Sequence, residues 1–439
     1  MTPKTRIIID TDPGVGDVIA MLLAFNANPK QLEVMLISVV HGNVAVRSCL
    51  SNALAVFHVI EKETEWRKST GRSEGFEVMT SHKPIVALGA DRPLQDEIAT
   101  AEHIPSADGA DGLHNVHNTY PHLAPSDAWN DLFNGDADDL VNPATYSPFF
   151  TASKVPAYKE MLRILKENPP DTISILAMGP LTNVALAAAE DPETFLRVKE
   201  VVVMGGAISV PGNVTPIAEF NTYADRVAAA RLYALTSFVP ASTMPPASEN
   251  FANLPAYPTK LSRRLKLTLL PLDITTRHTI SRSVLNERIK PFIDAGSPLA
   301  LWIAHCLNGA IAGVADMVGE GVETGFSLHD VCTVWYAMAP NDPAWGIPDT
   351  PEDIRIETTG QWTKGMHIID TRNRSHQGQA VLAGSGSKLV DEGDFITAKE
   401  GPGDPMGWLS HTRGNRLKRI TSSPAGGVFD IWMEKVFEG

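Results

Sequence analysis

A chain of 439 residues, 43% hydrophobic and 20% charged, has the material for a large buried core and reads as an ordinary soluble globular protein. Its formal net charge of −14 leaves no basic footprint for nucleic acid or for an anionic membrane surface. Three scattered cysteines (Cys49, Cys306, Cys332) without metal-ligand spacing, a start (MTPKTRIIID) without a signal-like apolar run, and no obvious membrane span point to reduced thiols and a cytoplasmic location.

In chain order, short runs rich in Ile, Val and Leu alternate with amphipathic stretches. Strands are predicted at Arg6–Asp10, Val34–Val40, Pro84–Leu88, Ile173–Met178, Val198–Met204 and Leu265–Leu270. Helices are predicted at Asp17–Asn26, Val46–Ile60, Leu181–Ala189, Ala224–Leu235 and Leu299–Leu307. All-apolar strands separated by helices imply an α/β fold with a mostly parallel sheet covered on both faces. Residues 126–154, rich in Asp, Asn, Pro and Ser, and residues 239–258, with five prolines, read as surface insertions. The tail from Thr350 onward is Gly- and charge-rich with a few strand-like runs such as Met366–Asp370, and a C-terminal extension spans about 376–439. With no repeat or clean linker, residues 1–439 read as one elaborated domain.

The stretch IIIDTDPGVGDVIAMLLAF (Ile7 to Phe25) sets Asp10, Asp12 and Asp17 within eight positions, where a strand gives way to a helix. Open parallel sheets bind ligands beyond the carboxyl ends of their strands, which is where these carboxylates fall. Clustered carboxylates suit a hard cation such as Ca²⁺ or Mg²⁺. The plainer alternative makes Asp17 a helix N-cap and Asp12 the former of an Asx turn. A haloacid-dehalogenase-type phosphatase also opens on a strand followed by Asp-x-Asp, but its later Gly-Asp-x-x-x-Asp motif is absent from this chain.

Further along, DTDPGVGD is followed in order by VVHGN (Val39–Asn43), GADRPL (Gly89–Leu94), DGL (Asp111–Leu113) and GPLTNVALA (Gly179–Ala187). VVVMGGAISVPGNVTPIAEFNTYAD (Val201–Asp225) and LHDVC (Leu328–Cys332) complete the series. Together these motifs resemble the inosine–uridine-type nucleoside hydrolases over roughly residues 5–375, with added length similar to that of the longer fungal members. The resemblance implies the nucleoside-hydrolase α/β fold and Ca²⁺-dependent hydrolysis of the N-glycosidic bond of a nucleoside. It places Asp12, Asp17, Asp330 and the backbone carbonyl of Met178 as metal ligands, with Asp12 also the general base toward the attacking water. Asn213, Glu219, Asn221 and Asp330 would meet the sugar hydroxyls, Met204 and Phe220 would line the sugar pocket, and Asn43 and His329 would complete the catalytic set. His329 would serve the leaving base. A small-molecule substrate and a homo-oligomer are the implied partners.

Position 16 departs from the pattern. The family carries a second aspartate there, whose carboxylate takes a ribose hydroxyl, and this chain has Gly16. A changed sugar, a weakened or inactive nucleoside-binding site, or a substitution made to trap substrate would each account for it. His114, His117 and His122 suggest a metal cluster at first sight, but lack a helical i, i+4 pair, and His305 and Trp302 read as core or pocket wall.

Overall fold

A computed structural model describes residues 4–95, 108–125, 147–246, 254–319, 324–372 and 412–438, together with 129, 132, 133, 404 and 406–410. Eight parallel strands form one sheet: β1 (Thr5–Thr11), β2 (Leu32–Val39), β3 (Ile85–Leu88), β4 (Thr151–Ser153), β5 (Ile173–Ala177), β6 (Glu200–Met204), β7 (Leu267–Leu270) and β12 (Lys418–Arg419). The spatial order is β12-β7-β6-β5-β1-β2-β3-β4. Smaller antiparallel pairs join β8 (Thr279–Ser281) to β9 (Gly325–Ser327) and β10 (Arg355–Ile356) to β11 (His367–Ile368).

Successive residues of β1 point to opposite faces, so Ile7 and Ile9 enter one core and Ile8 the other. Helices Val15–Phe25, Val46–Ser69, Pro298–Val318 and Val331–Met338 cover the first face. Helices Ala157–Glu167, Thr182–Glu190 and Arg226–Ala234 cover the second. Burial on both sides explains why the strands read as continuous apolar runs without alternation. From β1 the chain runs outward through β2, β3 and β4; it then returns to β5 and runs the other way. The boundary between β1 and β5 is therefore the topological switch point, where open α/β sheets hold their ligands.

All six predicted strands are present, and the differences have physical causes. The first helix begins at Val15, with Gly14 as N-cap and Asp17 in its first turn, so Asp17 is not the N-cap. The predicted helix Ala224–Leu235 is two helices, Phe220–Ala224 and Arg226–Ala234, broken at Asp225, whose carboxylate accepts the Ala228 amide hydrogen. Helix Val46–Ser69 runs nine residues past its predicted end at Ile60. The last predicted helix runs from Pro298 to Val318, capped by the Ser297 hydroxyl. By length and composition it could cross a membrane, which the sequence reading missed; half of it is buried in the fold, against helices Val46–Ser69 and Arg282–Asp294.

Part of the expected insertion 126–154 supplies the edge strand β4; most of it lies outside the described residues. In the other insertion, Pro240–Ser242 forms a single 3₁₀ turn. Most of 376–411 likewise lies outside the described residues, but Lys418–Arg419 adds β12 to the sheet and helix Val428–Met433 packs on the first face. Trp432, fully buried, donates its indole hydrogen to the Ile19 carbonyl at 3.1 Å, and Arg67 reaches the Val436 carbonyl at 2.6 Å.

Candidate active site

The carboxyl ends of β1, β5 and β6 open onto a cavity of about 310 Å³. Asp12 follows β1 directly, and its carboxylate sits between two glycines from separate motifs. A Cβ at Gly42 or at Gly179 would overlap it, which is why VVHGN and GPLTN each need glycine at that point. The Asn43 amide donates to Asp12 Oδ2 at 2.7 Å. Asn43 Nδ2 reaches the Asp12 carbonyl at 3.0 Å and Asp17 Oδ2 at 3.2 Å. Asp12 Oδ1 is buried with no hydrogen-bond partner among the described residues.

Asp17 accepts from the Thr11 hydroxyl at 2.5 Å and from the Gly14 amide at 3.1 Å, the second bond closing the first turn of its helix. Asp330 arrives from the far side, after β9 and at the N-cap of helix Val331–Met338. Burial, then the Asp17 charge, pushes the Asp12 carboxyl well above its ordinary range. Burial and the Asp17 and Asp108 charges do the same to Asp330, and burial raises Asp17. No lysine or arginine lines the cavity among the described residues. Nor, among them, do three His, Cys, Asp or Glu side chains meet closely enough to hold a metal ion as they stand.

Asp10, the first aspartate of the opening motif, does not line the cavity. It accepts from the Ser38 hydroxyl and, at 3.0 Å, from Asn183 Nδ2, tying β1 to β2 and to helix Thr182–Glu190. Burial pushes its carboxyl up to about 7.

The residues that the resemblance assigns to the sugar lie in the wall of this cavity. Glu219 caps helix Phe220–Ala224, with Oε1 taking the Asn221 amide at 2.7 Å and Oε2 the Gly206 and Thr222 amides, both at 2.9 Å. Asn221 donates to the Met178 carbonyl at 2.6 Å, so that carbonyl is already engaged through one lone pair. Asn213 accepts the Phe220 amide hydrogen at 2.9 Å, and Met204 and Phe220 line the wall. His329 also lines the cavity; its Nδ1 pairs with the Thr275 hydroxyl at 2.7 Å, and burial lowers its pKa to about 4, so it is neutral near pH 7. Val314, Met317 and Phe326 add an apolar side, and Met317, 52% exposed, marks the mouth.

The other histidines keep separate partners. His114 offers its carbonyl to His305, His117 pairs with Asn52, and His122 packs edge-on against Tyr120. Trp302 is fully buried. Sequence reasoning missed Asp108, which lies beside Asn43, Asp17 and Asp330 in the cavity wall.

A family profile described as inosine-uridine preferring nucleoside hydrolase matches residues 7–396. The chain belongs to that family. As a nucleoside hydrolase it is an enzyme, and its relatives are similar along nearly their whole lengths. An uncharacterised Schizosaccharomyces pombe protein is 30% identical over 366 residues, 83% of this chain and 89% of that protein. A non-specific ribonucleoside hydrolase of Salmonella paratyphi A is 25% identical over 377 residues, 86% of this chain and 92% of the relative. Among solved structures, a plant nucleoside hydrolase superposes with a TM-score of 0.61 at 19% identity, covering 100% of both chains. An inosine-guanosine nucleoside hydrolase gives 0.61 at 19% identity over 98% of this chain and 97% of its own. These superpositions establish the nucleoside-hydrolase fold.

Proposed function

We propose that this nucleoside hydrolase cleaves the N-glycosidic bond of ribonucleosides, giving free base and ribose, in the cavity at the β1/β5 switch point. The observation that carries the reading is the meeting of Asp17, Asn43, Glu219, Asn221 and Asp330, from four separate motifs, in one polar cavity wall, with Asp12 hydrogen-bonded to Asn43 beside them. Asp12, Asp17 and Asp330, with the Met178 carbonyl, would hold a Ca²⁺ ion. The donor set fits it: every donor is an oxygen, Asp12 Oδ1 is buried without a partner, and the raised carboxyls lack a countercharge among the described lining residues. The three side chains have to draw together for this. When bound, the ion supplies Lewis acidity that lowers the pKa of water and offsets the carboxylate charge.

The chain's own residues then divide the work. Asp12, its carboxylate fixed by the Asn43 amide and confined by Gly42 and Gly179, takes a proton from the water that attacks the anomeric carbon. The bond to the base nitrogen breaks, its electron pair goes to the base, and the sugar passes through an oxocarbenium-like state. Asn213, Asn221 and Glu219 orient the sugar hydroxyls, while Met204 and Phe220 exclude water from the ring. With the Thr275 hydroxyl donating to Nδ1, neutral His329 would offer its Nε2–H as a hydrogen bond to the departing nitrogen, and the proton the base takes up comes from solvent, balancing the one Asp12 accepts from the attacking water. Free base released from a panel of purine and pyrimidine ribonucleosides, with and without chelator, tests this. The expected result is release that chelator abolishes and Ca²⁺ restores. Binding without release in any member would favour a pocket that has kept its ligand and lost turnover.

A further inference from the structure

Asp108 stands outside every motif the sequence reading used, yet it is buried at the polar end of the cavity. It reaches over the start of helix Val15–Phe25, where the Val15 amide donates to it. A Cβ at Gly14 would overlap its Oδ2, so glycine at that N-cap is what lets the carboxylate approach. The strand-to-helix turn and the Asp108 segment are fastened together: Asn52 Nδ2 donates to both the Pro13 and the Asp111 carbonyls, each at 2.9 Å. Two residues after Gly14, Gly16 contributes no side chain, and the place its Cβ would take is claimed by Asp330 Oδ2. The turn therefore contributes no carboxylate of its own at position 16, and the adjoining segment delivers one to the same wall. Depth separates the two halves of the cavity, with Asp17 1% and Asp108 8% exposed on the floor and Met317 52% exposed at the mouth. A nucleoside matches that division with a hydroxyl-bearing sugar at the polar end and a flat base at the apolar one.

We propose that Asp108 is a sugar-binding residue of this pocket, its carboxylate accepting a hydrogen bond from a ribose hydroxyl. The inference rests on the ribonucleoside reading above. A hydroxyl donating to a buried carboxylate is a strong contact that a sugar lacking the hydroxyl cannot make, so the residue should govern discrimination between sugars.

The test uses the full-length protein with Ca²⁺, comparing wild type with Asp108→Asn and Asp108→Ala. Turnover is measured on a ribonucleoside and its 2′-deoxy and 3′-deoxy forms, and Ca²⁺ affinity by calorimetry. Loss of kcat/KM on the ribonucleoside of roughly 10- to 150-fold is expected, with little change on one deoxy form and unchanged Ca²⁺ affinity. Asp108→Asn keeps the side chain's shape, so it carries the test if the alanine variant unfolds. A ribose-to-deoxyribose ratio that ignores both substitutions overturns the inference. So does a fall in Ca²⁺ affinity that tracks the activity, which would make Asp108 a ligand of the ion. A wild type that releases no base from any nucleoside sinks the hydrolase reading itself, and this inference with it.

Discussion

Replacing Gly16 by alanine sets two effects of opposite sign against each other. The residue sits in the first turn of helix Val15–Phe25 without a positive φ, so a methyl group there should stabilise the folded chain by about 0.5–1 kcal/mol through helix propensity and reduced unfolded-state entropy. The same methyl would lie well inside 3.0 Å of Asp330 Oδ2, whereas ordinary contact begins at 3.4 Å. The oxygen has to withdraw by roughly 1 Å from its metal-free position, and a methyl group in its way restricts the drawing together of Asp12, Asp17 and Asp330 that Ca²⁺ needs. Without metal the move is easy, because burial and the Asp17 and Asp108 charges already disfavour an ionised Asp330. The expected outcome is an apo protein at least as stable as wild type by chemical denaturation, with Ca²⁺ affinity and turnover each lower by tenfold or more, on the order of the 1.4 kcal/mol that corresponds to a factor of ten. Gly16→Asp carries the same Cβ and adds the carboxylate the family has at this position, so a Gly16→Asp variant that keeps full Ca²⁺ affinity would equally count against the argument. An alanine variant that binds Ca²⁺ and hydrolyses nucleosides like wild type would refute the argument.

Two further outcomes are expected. Asp12→Ala should abolish hydrolysis, while His329→Ala should matter only where the leaving base needs a hydrogen-bond donor, with about 10- to 150-fold loss on a ribonucleoside and little on p-nitrophenyl riboside; equal losses on the latter would show the roles misassigned. Buried His367, paired with the Tyr233 hydroxyl at 3.1 Å, has its pKa pushed down to about 4 by burial. The unfolded chain thus binds more protons between about pH 6.5 and 4, and the stability from this neutral histidine is present above 6.5 and lost as pH falls toward 4. The full swing is about 3 kcal/mol. Urea denaturation of wild type and His367→Gln at pH 7.5 and 4.5 isolates it from Asp10, whose raised carboxyl contributes the opposite slope; parallel pH profiles would contradict the assignment.

What was legible in the sequence is what local chemistry encodes. Ile- and Val-rich runs announced the central strands, because both faces of a parallel sheet are buried. The ordered motifs carry Asn43, Asn221, Glu219 and Asp330 to the cavity and Asp12 into hydrogen-bond contact with Asn43. The start of the first helix slipped by two residues because Gly14 caps without a side chain to signal it. The two-residue strand β12 and the three-residue β4 are too short to carry a period, and only their neighbours make them strands. Asp108 could not be found from spacing: its segment, ADGADG, reads as a turn, and its approach to residues 14–15 is a contact across more than ninety positions. Gly14, without a side chain at that approach, was the one local trace of it.

The clasp between the two ends of the chain also constrains how the protein can be made. Helix Val15–Phe25, which carries Asp17 in its first turn, takes a buried partner from Trp432, 413 residues after Ile19. At roughly 5–20 residues per second, the ribosome takes about 20–80 s to deliver that indole after Ile19 has been made. During that interval an entirely apolar stretch of helix, Val18 to Phe25, lacks the cover it has in the folded enzyme. The long wait makes this face a natural binding place for a chaperone on the nascent chain.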